Sequence, residues 1–333
     1  MSNNSARELM AEAKFYEAYS RWSESHNRFE TWEEATSRVM DMHTKYLESK
    51  DILTPQLSRL LDEVQESYKN KEILGAQRAL QFGGEQLLKH QARMYNCSAS
   101  YCDRPEFFGE AFYLMLCGCG VGFSVQKHHV AKLPTIKPRE KQAKTFVVPD
   151  SIEGWATSAD ILLSSFFEGG GKHPDFEGRK IYFDFSRIRP KGSFISGGFK
   201  APGHEALQQA LANIELLIKK ELDSGITELR PIVAYDIVMY IADAVISGGV
   251  RRSATICLFS KDDEEMLNAK TGSWFIDNPQ RGRSNNSAML LRDSTTKEEL
   301  DHIMKSVRDV GEPGFIFTDD LEALYNPLIK HAA

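Results

Sequence analysis

Between Thr31 and Leu47 the segment TWEEATSRVMDMHTKYL places apolar residues at three- and four-residue spacing, the period of a helix with one buried face. Thr31 and Glu34 stand at the spacing of a capping box ahead of it. Thr54-Pro55 opens a second helix, with the proline in its first turn, where a missing amide costs nothing. The chain reads as helical from about Ser5 to Leu88. From Tyr95 the pattern changes to short β-prone runs: GVGFSV, TFVVP (Thr145 to Pro149), KIYFDF (Lys180 to Phe185) and SATICLF (Ser253 to Phe259). Amphipathic helices, SIEGWATSADILLSSFF and HEALQQALANIELLIKKELD, separate them, and a long apolar helix, IVAYDIVMYIADAVI, precedes the last. Strands alternating with helices of this length predict a parallel α/β sheet or barrel. The segment EGGGKHPDFEGRK reads as a loop whose three consecutive glycines suggest a mobile turn. No solenoid repeat or low-complexity linker interrupts the pattern.

Composition narrows the partners. With 333 residues there is material for two domains or one large one. Hydrophobic content of 41% and charged content of 26% are ordinary for a globular chain. A formal charge of −6 argues against nucleic-acid binding, which needs a phosphate-neutralising basic face. No stretch approaches the roughly 20 apolar residues of a membrane span, and MSNNSARELMAEAK lacks the layout of a signal peptide. A cytoplasmic chain is expected, with its five cysteines as thiols.

Cys97, Cys102, Cys117 and Cys119 give a C-x4-C-x14-C-x-C spacing, a poor match to structural zinc sites. Core packing explains Cys102, Cys117 and Cys257 better. GCGVGF lacks the Lys-Ser/Thr ending of a phosphate-binding loop, which disfavours an ATPase. In ISGGVRRSATI two glycines free the backbone before two planar arginine donors suited to phosphate or base edges. His128 and His129 flank a strand end, where surface or core roles are expected rather than metal ligation. No metal site is predicted.

In their order and separations, RMYNCSASYC (Arg93 to Cys102), LCGCGVGFSV (Leu116 to Val125), ISGGVRRSATI (Ile246 to Ile256), NPQRGRSNNS (Asn278 to Ser287), GEPGFIF (Gly311 to Phe317) and Tyr325-Asn326-Pro327 resemble the large subunit of ribonucleotide reductases, most closely the adenosylcobalamin-dependent class. The resemblance covers about residues 17 to 327. It implies an α/β fold with an N-terminal helical region at 1–90, the first half of a ten-stranded α/β barrel with nucleotide-binding loops at 91–327, and a non-matching tail at 328–333.

The resemblance also implies roles. Cys97 would sit on the first barrel strand below the substrate ribose, give reducing equivalents to the 2′ position and form a disulfide with a cysteine of the other half-barrel; a thiol suits this because two electrons and their protons must reach the sugar. Ser98, Cys119 and Gly120 would lie against the ribonucleotide, the glycine allowing close backbone approach. Gly248, Gly249, Val250, Arg251, Arg252 and Ser253 would form the specificity loop between a dNTP effector and the substrate base, with Asp103 near the effector ribose. Activity control through an ATP-cone is not expected, because the Val-x-Lys-Arg-Asp/Asn-Gly signature is missing. In the family the Asn-Pro is followed by the radical-bearing cysteine and, two residues on, a glutamate; here Leu328 and Lys330 stand there. The expectation is therefore a shortened or split-gene component, inactive alone, that needs a complementary C-terminal chain and, in the complete enzyme, adenosylcobalamin. The competing expectation is a non-catalytic dNTP-binding regulatory or vestigial module.

Overall fold

The computed structural model describes residues 3–195, 199–247 and 255–324. They fall into two units: residues to Tyr95 together with Phe194, Ile195 and Phe199, and residues from Asn96 to Ser193 together with Lys200 onward.

The first unit is built from α1 (Asn3–Ala18), a two-residue antiparallel pair β1 (Trp22–Ser23) and β2 (Arg28–Phe29), α2 (Trp32–Ser49), α3 (Pro55–Lys69), α4 (Gln77–Phe82) and α5 (Glu85–Lys89). The expected capping box forms: the Glu34 amide donates to Thr31 Oγ1 at 3.3 Å, and the Thr31 amide donates to the Glu34 carboxylate at 2.8 Å. Pro55 occupies the first turn of α3, capped by Thr54. The β1–β2 pair interrupts the expected helical run; its turn ends on Asn27, whose φ of 50° is one that asparagine tolerates better than most residues. Phe15, Val39, Met40, Tyr68 and Leu80 form the core of this unit.

The second unit carries β3 (Cys97–Tyr101), α6 (Phe107–Leu116), β4 (Gly120–Ser124), α7 (Lys127–Val130), β5 (Lys141–Val147), α8 (Ile152–Phe166) and β6 (Arg179–Asp184). The two-residue strands β7 (Phe194–Ile195) and β8 (Phe199–Lys200) come next in the chain. They are followed by α9 (Glu205–Asp223), α10 (Pro231–Ser247), β9 (Thr255–Ser260), α11 (Glu264–Leu267), α12 (Trp274–Asp277), β10 (Ser284–Leu291), α13 (Lys297–Val310) and β11 (Gly314–Thr318). Five strands form one parallel sheet in the order β11-β10-β9-β4-β3. The expected strand GVGFSV lies in it, as does SATICLF from Thr255 onward, Ser253 and Ala254 being outside the described residues. TFVVP and KIYFDF instead pair with each other as the separate parallel ribbon β5–β6. β5 is exposed along most of its length, whereas strands inside a parallel sheet are covered on both faces and read as apolar runs.

The register sorts side chains onto two faces. Val121, Phe123, Cys257, Phe259, Ala288 and Leu290 point to one face and join a core with Phe108 of α6, Leu162 of α8, Ile214 of α9 and Val238 of α10. α10 is apolar nearly all round and buried accordingly. Cys97, Ala99, Gly120, Gly122 and Ser124 share the other face with Ile256, Leu258 and Met289. There the buried cluster is Ile256, Leu258 and Met289, packed by Ile316 and Leu321, with no helical residue among those described. Helices therefore cover one face of the sheet, while the other mixes small residues at β3 and β4 with larger apolar ones at β9 and β10.

Candidate functional site

Cys97 begins β3 directly opposite Gly120, which begins β4. The chain reaches Gly120 through a helix stop: Gly118 takes φ 83°, its amide donates to Met115 O at 2.9 Å, and the Cys119 amide donates to Leu114 O at 3.0 Å, the paired bonds that close a helix on a left-handed glycine. One glycine of the GCG run therefore turns α6 into β4, and the next presents bare backbone beside the Cys97 strand. The Gly120 amide donates to Asn96 O at 2.8 Å, and Ser98 Oγ donates to Gly120 O at 3.4 Å. Cys97, Ser98, Cys119 and Gly120 are thus brought together at one end of the sheet.

Cys97 is half-buried, whereas Cys102, Cys117, Cys119 and Cys257 are buried. Burial pushes the Cys102 and Cys257 thiols well above the usual range, which makes them poor nucleophiles and poor redox partners.

Asp103 is not brought to this place. It follows the far end of β3, which alone separates Cys97 from Tyr101 by about 13 Å at the usual rise per residue. Its carboxylate pairs with Arg104 at 2.9 Å, and Arg104 also binds Ser100 Oγ and Glu110. Gly248, Gly249, Val250, Arg251, Arg252 and Ser253 lie outside the described residues, as does the tail at 328–333; the flanking α10 and β9 are described.

Two groups had no assigned role in the sequence. The arginines of NPQRGRSNNS grip α10: Arg281 makes a two-pronged pair with Asp236 (Nε–Oδ1 2.9 Å, Nη2–Oδ2 2.7 Å), and Arg283 Nε meets Asp243 at 2.6 Å two turns on. The seven-residue spacing of Asp236 and Asp243 was the available signal. The second group is His128, His129 and Glu322, which gather beyond the end of β4, where Tyr101 Oη donates to Glu322 O at 2.6 Å. Burial holds His129 below its usual value, while hydrogen bonding from His129 holds the Glu322 carboxyl below its own. The histidines and the glutamate are almost two hundred residues apart, so spacing carried no hint of the group.

No family model matches the chain. It is similar to the adenosylcobalamin-dependent ribonucleoside-triphosphate reductase of Lactobacillus leichmannii, at 25% identity over 365 residues covering 90% of this chain and 47% of that protein. The corresponding Lacticaseibacillus paracasei protein is 26% identical over 360 residues with the same coverage. The probable adenosylcobalamin-dependent ribonucleoside-triphosphate reductase of Dictyostelium discoideum is 31% identical over 183 residues, 54% of this chain and 22% of that one. The chain spans about half the length of the Lactobacillus-type relatives it matches. Its fold matches a B12-dependent class II ribonucleotide reductase crystal structure with a TM-score of 0.75 at 21% identity, over 96% of this chain and 52% of that chain. No helix among the described residues is long and apolar enough to cross a membrane.

Proposed function

We propose that this homologue of the adenosylcobalamin-dependent ribonucleotide reductases is the half of such an enzyme that holds the substrate ribose over Cys97, and that it turns over only with a second half-barrel, in the same polypeptide or another. The observation that carries the reading is the position of Cys97: the one thiol that is not fully buried opens the edge strand of the five-stranded parallel sheet, on the face opposite the α6, α8, α9 and α10 core, with the bare backbone of Gly120 beside it. The far edge also supports a missing neighbour, since Phe315 and Phe317 of β11 are 38% and 41% exposed. Burying such side chains against a second half contributes about 25 cal/mol per Å² before association costs.

The chemistry the residues would perform is balanced as follows. The ribose 2′ C–O bond breaks and a 2′ C–H bond forms; two thiols supply two electrons and two hydrogens, one water leaves, and the thiols become a disulfide. Cys97 is one of these thiols, and its partner belongs to the second half-barrel. On this reading Gly120 packs against the sugar, glycine allowing contact closer than a Cβ permits, and Ser98 supports it by donating to the Gly120 carbonyl. Gly248 to Ser253, with Arg251 and Arg252, would bind the dNTP effector, on a mounting made rigid by the Arg281–Asp236 and Arg283–Asp243 pairs. Adenosylcobalamin would supply the radical that starts the reaction. We assign no described residue to holding the cofactor.

The test is single-turnover product analysis on the complete assembly, without external reductant. Cys97→Ser abolishes deoxynucleotide formation, while Cys102→Ser and Cys257→Ser leave it largely intact. Normal product from Cys97→Ser overturns the assignment.

A further inference from the structure

We propose that His128, His129 and Glu322 form a binding site for a divalent transition-metal ion of the zinc type, which fastens the segment after β11 to the end of β4. The proposal is independent of the reductase reading and departs from the expectation that these histidines serve only packing or surface roles.

The geometry is that of a ligand set. His128 Nε2 lies 2.7 Å from Glu322 Oε1 and His129 Nε2 lies 2.9 Å from Glu322 Oε2, so both imidazoles aim the same ring nitrogen at one carboxylate. The three ligand atoms lie within 4.8 Å of one another, a spread that a small cation can draw together to bonds of about 2 Å. Two imidazoles and one carboxylate suit zinc or its first-row neighbours; calcium and magnesium prefer oxygen alone. His128 and Glu322 are partly exposed, with side chains 42% and 53% accessible, which leaves an entry path and room for a water as fourth ligand.

The surroundings hold the set in place. His129 is fully buried, with its ring 4.4 Å from that of Tyr101. Its Nδ1 is 2.9 Å from Ser124 Oγ, and Ser124 Oγ in turn accepts from the Gln126 amide at 3.2 Å and from Gln126 Nε2 at 3.1 Å. That is the outer hydrogen bond by which metal-binding histidines are usually oriented. Without a cation, the two Nε2–H groups meet the carboxylate. With one between them, each ring carries its proton on Nδ1, and for His129 the Ser124 oxygen accepts it in exchange for one of the two Gln126 bonds, since a hydroxyl accepts at most two.

The ligands come from two places in the chain, α7 and the segment following β11. That segment already reaches this corner through Gln126 Nε2 donating to Leu321 O at 2.8 Å and Tyr101 Oη donating to Glu322 O. A bound ion would therefore act as a cross-link between them.

The experiment is titration of the full chain, in a Cys97→Ser background, with cobalt(II), followed by its visible d–d bands and by displacement with zinc. The expected result is one ion per chain, binding weakened at least tenfold in His128→Ala and in Glu322→Gln, and zinc-dependent protection of residues 319–324 from amide exchange that is lost in both. Circular dichroism identifies any variant that fails to fold, and Glu322→Asp, which keeps the carboxylate, recovers part of the affinity. No cobalt or zinc binding up to millimolar concentration, or unchanged binding in the His128→Ala, Glu322→Gln double variant, overturns the proposal.

Discussion

Replacing Asp236 with alanine removes the carboxylate that neutralises Arg281 inside the second unit. The two side chains are 6% and 14% accessible, and they meet through two near-parallel N–H···O bonds of 2.9 and 2.7 Å. Gln280 Nε2 adds a third bond to the same carboxylate at 3.2 Å. An ion pair this well covered is costly to break from one side, because the surviving charge stays where water cannot solvate it; the loss is about 3–5 kcal/mol. The solvent-facing Lys14–Glu17 pair is the contrast: at 62% and 71% accessible, its removal costs no more than about 1 kcal/mol. Amide exchange in peptides covering α10 and β9 reads the difference locally, without requiring the two units to unfold together. At about 1.4 kcal/mol per decade, Asp236→Ala lowers protection there by roughly two to three and a half decades. Asp236→Leu combined with Arg281→Leu restores much of it, since no charge is left stranded. A loss smaller than tenfold in Asp236→Ala refutes the claim that this pair secures α10.

Asp160, with its side chain 1% accessible on α8, is pushed up to about 6 by burial, only partly offset by Lys172 at 2.8 Å. Because this raised value exceeds the unfolded one of about 4, the folded state keeps a proton the unfolded chain has released. The group's contribution, about 3 kcal/mol at most, is full below about pH 4 and lost as pH rises through about 6. Calorimetric melting from pH 4 to 7 should show that decline in the wild type and a flatter profile in Asp160→Asn; the same slope in both contradicts it. For the effector loop, dNTP binding by calorimetry should weaken at least tenfold in an Arg251→Ala, Arg252→Ala double variant, and equal affinity removes those arginines from the site.

The parts of this fold legible in the sequence are those fixed by local chemistry. Thr31 with Glu34, and Thr54 with Pro55, specify helix starts through contacts a few residues away, and both form. The apolar runs of β4 and β9 needed no distant partner to be read as strands. β10 escaped notice because it opens Ser284-Asn285-Asn286-Ser287, a polar stretch with nothing strand-like about it. Burial there is tolerated because Ser284 Oγ bonds Tyr235 Oη at 2.9 Å and Asn286 Oδ1 at 2.7 Å. Those partners belong to the tertiary structure. At the site, Cys97 and Gly120 were expected together, and the β3–β4 register places them side by side. Asp103 was expected beside the effector rather than the substrate; it follows the far end of β3 from Cys97, and the loop expected to share the effector with it, Gly248 to Ser253, lies outside the described residues. The His128–His129–Glu322 group could not be seen at all, because chain return after β11 creates it.

The most direct measurement of the central claim is peptide mapping of disulfides after one turnover of the complete assembly, with thiols trapped at once and no external reductant present. The account predicts a new disulfide joining Cys97 to a cysteine of the second half-barrel, in amount equal to the deoxynucleotide formed, with Cys102 and Cys257 still as thiols. Deoxynucleotide formed in stoichiometric amount while Cys97 remains a free thiol contradicts it.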